Sequence, residues 1–260
     1  MAELDHVVIN TLTQMDAAAD LFAALGFQLT PRGHHSLGSL NHLMMTEGAY
    51  LELVGVPETG LQRQDVLDSP RGLNGLVLKT GDADATRARL AAEGFAPQGP
   101  VAFSRPVTLD GATQEARFRT VRFPPDTFPG GRVYFCQHLT PELVWRPEWL
   151  VHPNGFCGID RFCIEDPEPE AQARRLACAF GVTVEPDGAI WRVPLTDARI
   201  HVMPGATARF ATTRLLFSSL DEIARRAEAC AAALWEPLGP SEGRLSLPSL
   251  AVSLTCESRR

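Results

Sequence analysis

Two adjacent segments decide the fold: LDHVVINT at residues 4 to 11 and MDAAADLFAAL at residues 15 to 25. The first is typical of a strand, and the second has the apolar spacing of an amphipathic helix that ends at Gly26. Turn-forming residues then separate three short extended runs. These runs cover about residues 27 to 32, 39 to 46 and 49 to 56. The pattern predicts a βαβββ unit.

The same order of elements recurs three more times along the chain. The later copies open with LNGLVLKT at residues 73 to 80, GIDRFCIED at residues 158 to 166 and TRLLFSSL at residues 213 to 220. One such unit leaves an open sheet edge and an uncovered apolar face, so neighbouring copies should pair. We therefore expect an α+β fold of four tandem βαβββ modules, in two pairs, whose curved mixed sheets surround a cleft.

The repeat also predicts the domain organisation. Residues 1 to 140 would form the first module pair, and residues 156 to 260 a second, degenerate pair. Between them lies PELVWRPEWLVHPNG at residues 141 to 155, which is rich in proline and tryptophan and is expected to be a connector.

Composition limits the classes of partner. The chain has 260 residues, 45% of them hydrophobic, and a formal net charge of -7. An acidic balance argues against a nucleic-acid partner, and no apolar stretch is long enough for a membrane span. The N-terminus lacks the pattern of a targeting segment, and the six cysteines form no C-x-x-C pair. We expect a cytoplasmic protein with a small-molecule partner and no nucleic acid or membrane partner; a homodimer remains open.

Four local strings carry a resemblance to a known family. They are LDH at residues 4 to 6, GHHSLGSLN at residues 33 to 41, YLEL at residues 50 to 53, and the pair CQHLTPE and HPNG at residues 136 to 142 and 152 to 155. Together with the βαβββ repeat, they resemble the glyoxalase-like domain family of the vicinal oxygen chelate superfamily. The resemblance covers about the first 155 residues.

The resemblance implies that His6 on the first strand and Glu52 on the last strand of the first module bind a divalent metal. Strand geometry supports this independently, because alternate residues share a face, so Leu4, His6 and Val8 should point together. A carboxylate on such a face is costly unless it is paired or bound to a cation. The alternative is that Glu52 meets an arginine or solvent and His6 makes a hydrogen bond in the core.

The second module departs from the family pattern. Gly75 stands where a second histidine is expected, and Cys136 stands opposite Glu52. His138 follows two residues after Cys136, on the same face, and is the expected third ligand. A set of His6, Glu52 and His138 with open coordination positions suits Zn(II), Ni(II), Mn(II) or Fe(II).

The run from Gly33 to Asn41 resembles the G-x-H-x-x-G-T-x-N pattern of the family, with serine in place of threonine. His35, Ser39 and Asn41 are therefore expected to bind substrate at the mouth of the cleft. The alternative is a hairpin that uses these side chains for its own backbone. His152 in HPNG is expected to reach over the cleft, although Asn154-Gly155 is also an ordinary turn pair.

Three arginines in the second module admit two interpretations. Arg117, Arg119 and Arg122 would bind an anionic substrate, or they would form a solvated face. In the third module Arg161 occupies the histidine position and no carboxylate matches Glu52. His201, on the last strand of that module, is expected to be a packed or surface histidine.

These features predict a divalent-metal-dependent lyase, isomerase or dioxygenase that acts on a small polar substrate with vicinal oxygens. His6 and Glu52 would be catalytic as well as metal-binding, with Glu52 serving as a base if it leaves the metal. The alternative is a non-catalytic protein of the same superfamily that sequesters a small molecule in an apolar, metal-free cleft.

Overall fold

A computed structural model of the chain describes residues 2–259 and contains four consecutive βαβββ modules. The first module comprises β1 (Leu4–Leu12), α1 (Met15–Ala24), β2 (Gly33–His34), β3 (Leu40–Met44) and β4 (Tyr50–Gly55). A short helix, α2 (Gln64–Leu67), leads to β5 (Gly72–Lys79), α3 (Ala83–Ala92), β6 (Gln98–Leu109), β7 (Ala112–Arg122) and β8 (Arg132–His138).

The second half repeats this order after two single turns of 3-10 helix, Pro141–Leu143 and Pro147–Trp149. The third module comprises β9 (Phe156–Asp166), α4 (Pro169–Phe180), β10 (Glu185–Asp187), β11 (Ile190–Pro194) and β12 (Arg199–Pro204). The fourth comprises β13 (Arg209–Phe217), α5 (Asp221–Glu228), β14 (Leu234–Gly239), β15 (Glu242–Leu247) and β16 (Val252–Ser258).

The four modules pair into two mixed sheets of eight strands. The first has the order β2-β3-β4-β1-β5-β8-β7-β6, and the second has the equivalent order β10-β11-β12-β9-β13-β16-β15-β14. In each sheet the first strands of two modules lie side by side and antiparallel, so each module closes the open edge of its neighbour. The predicted fold of four modules in two pairs is confirmed.

Several predicted element bounds were wrong. Residues 27 to 32 form no strand, and β2 consists of Gly33 and His34 alone. The run LDEIARRAEACAAAL at residues 220 to 234 predicts a helix through Leu234, but the last helix ends at Glu228 and Leu234 begins a strand instead. Helical propensity is overridden there because β14 pairs with β15 and lays Trp235 across Gly243.

Each face of the first sheet buries a different set of residues. Val7 and Ile9 belong to the core between the sheet and the helices, which continues into the second module pair. Val8 belongs to a separate cluster on the opposite, concave face. This alternation follows from the pleat of β1, and it directs the even-numbered residues from His6 onward into the cleft.

A bulge in β1 changes which residues face the cleft. Leu4 pairs with Leu78 and His6 pairs with Val77, so Asp5 is an extra residue in β1 relative to β5. Leu4 therefore lies in the helix-side core rather than beside His6 and Val8. The predicted grouping of Leu4 with His6 was wrong for this reason.

No helix within residues 2–259 has the length and apolar character needed to cross a membrane. All six cysteines are free thiols.

Candidate functional site

His6 and Glu52 meet in the cleft of the first module pair. They lie on the neighbouring parallel strands β1 and β4, where His6 pairs with Tyr50 and Val8 pairs with Glu52. The Nε2 atom of His6 lies 3.2 Å from Oε2 of Glu52, and both side chains are almost fully buried. The imidazole of His6 also stacks on the Tyr50 ring, with 4.6 Å between centroids.

Asp5 holds the other side of His6. Its Oδ2 atom lies 2.6 Å from Nδ1 of His6 and 2.9 Å from Nε2 of His138. The bulge in β1 makes this contact possible, because without it Asp5 and His6 would point to opposite faces. The result is a continuous buried chain of contacts, Glu52–His6–Asp5–His138, in which Asp5 is a residue that sequence reasoning missed.

The charges of this chain stabilise one another. Burial by itself would raise the pKa of Asp5, but the attraction of His138 and hydrogen bonds from both histidines hold that pKa well below its usual range. Burial would likewise raise the pKa of Glu52, but the hydrogen bond and charge of His6 lower it to about 2. Burial would lower the pKa of His6, but its interactions with Tyr134, Asp5 and Glu52 hold it well above its usual value.

The loop of the first module supports Glu52 from the other side. Asn41 donates a hydrogen bond from Nδ2 to Oε1 of Glu52 at 2.7 Å. His35 lines the cleft and bonds through Nδ1 to Oγ of Ser39 at 2.8 Å, and burial lowers the pKa of His35 to about 3. Ser39 is buried behind His35. Of the three loop residues predicted to bind substrate, His35 and Asn41 therefore reach the cleft, and Ser39 positions His35.

His138 reaches the site through Asp5 and lies outside the cavity next to His6. Its ring packs against Trp145, with 4.8 Å between centroids, and against Phe118 at 5.1 Å. One potential ligand atom each from Asp5, Cys136 and His138 lies within 4.8 Å of the other two, which makes these residues a candidate metal site. Burial raises the pKa of the Cys136 thiol well above its usual value.

A small cavity of about 30 Å³ lies in front of His6 and Glu52. Its walls combine aromatic rings with cationic side chains. The rings belong to Tyr50, Phe103, Phe118 and Tyr134, and the cationic side chains are Arg63, Arg105, Arg122 and Arg132. The cleft is therefore strongly basic at one end, in a protein whose net charge is negative.

The three arginines singled out in the sequence do not lie together in the structure. Arg122 faces the cavity, whereas Arg117 is exposed and Arg119 pairs with Asp84 on the outside. Side chains alternate between the two faces of β7, so Arg122 shares a face with Phe118, whereas Arg117 and Arg119 point to the other face. Sequence reasoning missed Arg63, Arg105 and Arg132; the alternation of Arg105 and Arg132 with aromatic residues on β6 and β8 was the available signal.

His152 lies away from the cavity. Its Nδ1 atom accepts a hydrogen bond from the backbone N–H of Gln28 at 2.9 Å, and Nε2 lies 2.7 Å from the carbonyl oxygen of Met45. The ring packs against Phe27 and Phe156. Its position thus differs from the predicted one over the cleft: both nitrogens are used by the backbone of the first module.

The described residues of the second pair form no equivalent site. The register of β9 and β12 places His201 where Glu52 stands in the first pair, and Arg161 takes the place of His6. Within the described part of the second pair, no three ligand-type side chains gather closely enough to hold an ion.

Comparison with solved structures shows the same fold in three proteins. They are a hypothetical protein from Staphylococcus aureus (14% identity, TM-score 0.71, 100% of both chains covered), a mutant 4-hydroxymandelate synthase from Streptomyces coelicolor (12%, 0.57, 100% of this chain and 94% of that one), and a xylose isomerase-like TIM barrel/4-hydroxyphenylpyruvate dioxygenase fusion protein (10%, 0.65, 99% of this chain and 49% of that one). At these identities the likeness establishes the fold alone.

Sequence comparison adds the family. Comparison with curated proteins finds no match. The profile of the glyoxalase-like domain matches residues 4–180, which include all of the first module pair and the opening strand and helix of the third module. The match spans more than half of the chain and contains every residue of the buried Glu52–His6–Asp5–His138 chain. The protein therefore belongs to the glyoxalase-like domain family.

Proposed function

We propose that the first module pair is a divalent-metal-dependent centre that acts on a small polar substrate with vicinal oxygens, as a lyase, isomerase or dioxygenase. The observation that carries the proposal is the buried His6–Glu52 pair, which faces the cavity and is oriented from behind by Asp5 and Asn41. Metal ligands in proteins are typically held in place by hydrogen bonds from residues behind them, as His6 and Glu52 are here.

The residues present fit a metal ion. Nε2 of His6 and Oε2 of Glu52 lie 3.2 Å apart, which suits two ligands that share one ion at about 2.1 Å each. Asp5 holds Nδ1 of His6, which directs the lone pair of Nε2 toward the cavity once the ring is neutral. An imidazole and a carboxylate suit Zn(II), Mn(II), Fe(II) or Ni(II).

His138 supports the proposed centre indirectly, through its contact with Asp5. Its Nε2 atom bonds the same carboxylate oxygen that holds His6, so it supports the position of Asp5. A direct role of His138 as third ligand stays a prediction. The potential ligand atoms grouped with that of His138 belong to Cys136 and Asp5.

A bound ion would supply a Lewis acid that polarises the vicinal oxygens of the substrate. If Glu52 leaves the ion, it would move a proton through Oε2, because Asn41 already occupies Oε1. Neutral His35 at the cavity wall would orient a substrate oxygen by a hydrogen bond. The aromatic walls would exclude water from the reacting atoms.

The test is the metal content of protein purified without chelator or nickel affinity resin. We expect about one equivalent of ion in the wild type and a loss in His6→Ala and in Glu52→Gln. His201→Gln is the matched control, because residue 201 holds the register position of Glu52 in the second pair. Wild-type protein that takes up no ion after exposure to Zn(II), Mn(II), Fe(II) and Ni(II) would refute the metal centre.

A non-catalytic binding protein is the second candidate. It is favoured by the direct contact of His6 with Glu52, which satisfies both groups without an ion, and by the stacked rings of Phe103 and Phe118, with 5.1 Å between centroids. Such a protein would retain ligand, hold no ion and give no turnover, so the metal measurement separates the two candidates.

A further inference from the structure

Three neighbouring strands each place one arginine in the cavity beside His6 and Glu52. Arg105 lies on β6, Arg122 on β7 and Arg132 on β8, and all three line the same cavity. Arg105 is only 3% exposed, and its buried Nε and Nη2 atoms have no hydrogen-bond partner among the described residues. A guanidinium is rarely buried in this way without a partner.

Several N–H groups of these arginines are buried and unused. Nε and Nη2 of Arg105, Nε and Nη2 of Arg122, and Nη2 of Arg132 have no acceptor among residues 2–259. The other N–H groups of Arg132 have partners, because Nε donates to Oδ1 of Asn74 at 2.7 Å and Nη1 donates to Oδ2 of Asp65 at 3.5 Å. The hydroxyl of Thr120, between the arginine-bearing positions, is also buried without a partner.

The nearby acids do not neutralise this cluster. Asp65 accepts two 2.7 Å hydrogen bonds from Arg63, and its Oδ2 atom also lies 3.7 Å from Nη1 of Arg122 and 3.5 Å from Nη1 of Arg132, so one carboxylate serves three guanidinium groups. Glu52 already contacts His6 and Asn41. Burial lowers the pKa of Arg122 to about 10 and also lowers that of Arg132. Buried cationic N–H groups that have no acceptor are complementary to an anion that the protein itself does not provide.

We infer that the ligand of this cleft is a small organic acid whose carboxylate binds Arg105, Arg122 and Arg132 while its vicinal oxygens face His6 and Glu52. The inference rests on the proposed function in that it names the substrate class of the same site. A planar carboxylate matches the fork of a guanidinium, and a cavity of about 30 Å³ limits the ligand to a compact molecule.

The test compares pyruvate with methyl pyruvate by titration calorimetry. Both carry vicinal oxygens, and only pyruvate carries the charge. We expect methyl pyruvate to bind at least about tenfold more weakly, and Arg105→Met to weaken pyruvate binding by a similar factor. Arg117→Met is the control, because Arg117 is exposed on the opposite face of β7 and should leave both affinities unchanged.

A second readout separates a ligand-binding arginine from a structural one. Without ligand, Arg105→Met should unfold at the same temperature as the wild type or higher, because the variant removes a buried charge that lacks a partner. A lower midpoint, equal affinity for pyruvate and its ester, or no binding of pyruvate would overturn the inference. Pyruvate binding to protein that takes up none of Zn(II), Mn(II), Fe(II) and Ni(II) would refute the metal centre and leave the acid site standing. A bound ion with no preference for the acid would do the reverse.

Discussion

Gly33 leaves room for the side chains of the site. A Cβ atom at this position would lie 2.1 Å from Oδ1 of Asn41 and 2.8 Å from Cδ of Arg105. The first of these side chains supports Glu52, and the second lines the basic end of the cleft. The glycine that opened the predicted loop motif therefore matters for close approach rather than for a special backbone angle.

Gly33→Ala should displace Asn41 and break its bond to Glu52. We expect a loss of about 1–3 kcal/mol in the free energy of unfolding, because the added methyl group overpacks a buried site. Urea denaturation measures the change. Gly81→Ala is the control, since nothing lies within 4 Å of its Cβ position. Equal stability of the two variants would contradict the prediction.

Asp5 is the residue on which both histidines depend. Both histidines bond the same carboxylate oxygen, Oδ2, and asparagine at this position removes the negative charge that they share. We expect Asp5→Asn to lower the free energy of unfolding by about 3 kcal/mol, since a buried charged partner is removed. The comparison is Asp84→Asn, which breaks the exposed pair with Arg119 and should cost much less in the same urea titration. Similar losses in both variants would argue against a central role for Asp5.

At the scale of the element, the bulge in β1 decides the composition of the site. A regular strand would send Asp5 to the helix side, and its one-residue shift relative to β5 brings it beside His6. Bulges often redirect a side chain next to a functional site. Nothing in LDHVVINT marks the bulge, because it depends on the register with β5, more than 60 residues away.

The equivalent strand of the second pair carries a buried histidine instead of a carboxylate. Burial and the surrounding arginines lower the pKa of His201 to about 4. Arg161 and Arg192 lie on the two neighbouring strands, Arg199 lies on the strand of His201 itself, and Arg214 lies on β13. A histidine whose folded pKa is depressed stabilises the fold above its unfolded pKa, about 6.5, and that stability is lost as the pH falls toward 4.

We therefore expect wild-type protein to lose stability relative to His201→Gln as the pH falls from 7 to 4.5. Glutamine retains polarity and removes the titration. Urea midpoints measured for both proteins across this range give the difference directly. Parallel pH profiles would show that His201 is as easily protonated in the folded state as in the unfolded one.

At the scale of the whole molecule, His152 joins the connector to the first pair. Its two backbone contacts and its packing against Phe27 and Phe156 lie where the helix-side core passes between the pairs. We expect His152→Ala to reduce the free energy of unfolding by about 3 kcal/mol while leaving the metal content unchanged. His34→Ala, at an exposed position, is the reference. A loss of metal in His152→Ala would instead tie this residue to the cleft.

The positions of individual residues show which features could be predicted from the sequence. Local periodicity predicted the order of modules, and module topology then placed His6 and Glu52 on neighbouring parallel strands. The position of Ser39 behind His35 was not predictable, because the alternation of a short hairpin does not show which hydroxyl meets solvent. His152 was placed over the cleft from its motif alone, and its backbone partners come from residues over 100 positions away.

The sequence by itself determined the four βαβββ modules and their pairing, because these follow from periods of 2 and 3.6 residues and from a repeated topology. The resemblance to the family implied that His6 and Glu52 would meet in the cleft. Only the tertiary structure decided that Asp5 enters the site, that His138 stands behind it, and that arginines of β6, β7 and β8 share one cavity. Those features depend on strand register and sheet curvature, which are set by contacts between residues far apart in the chain.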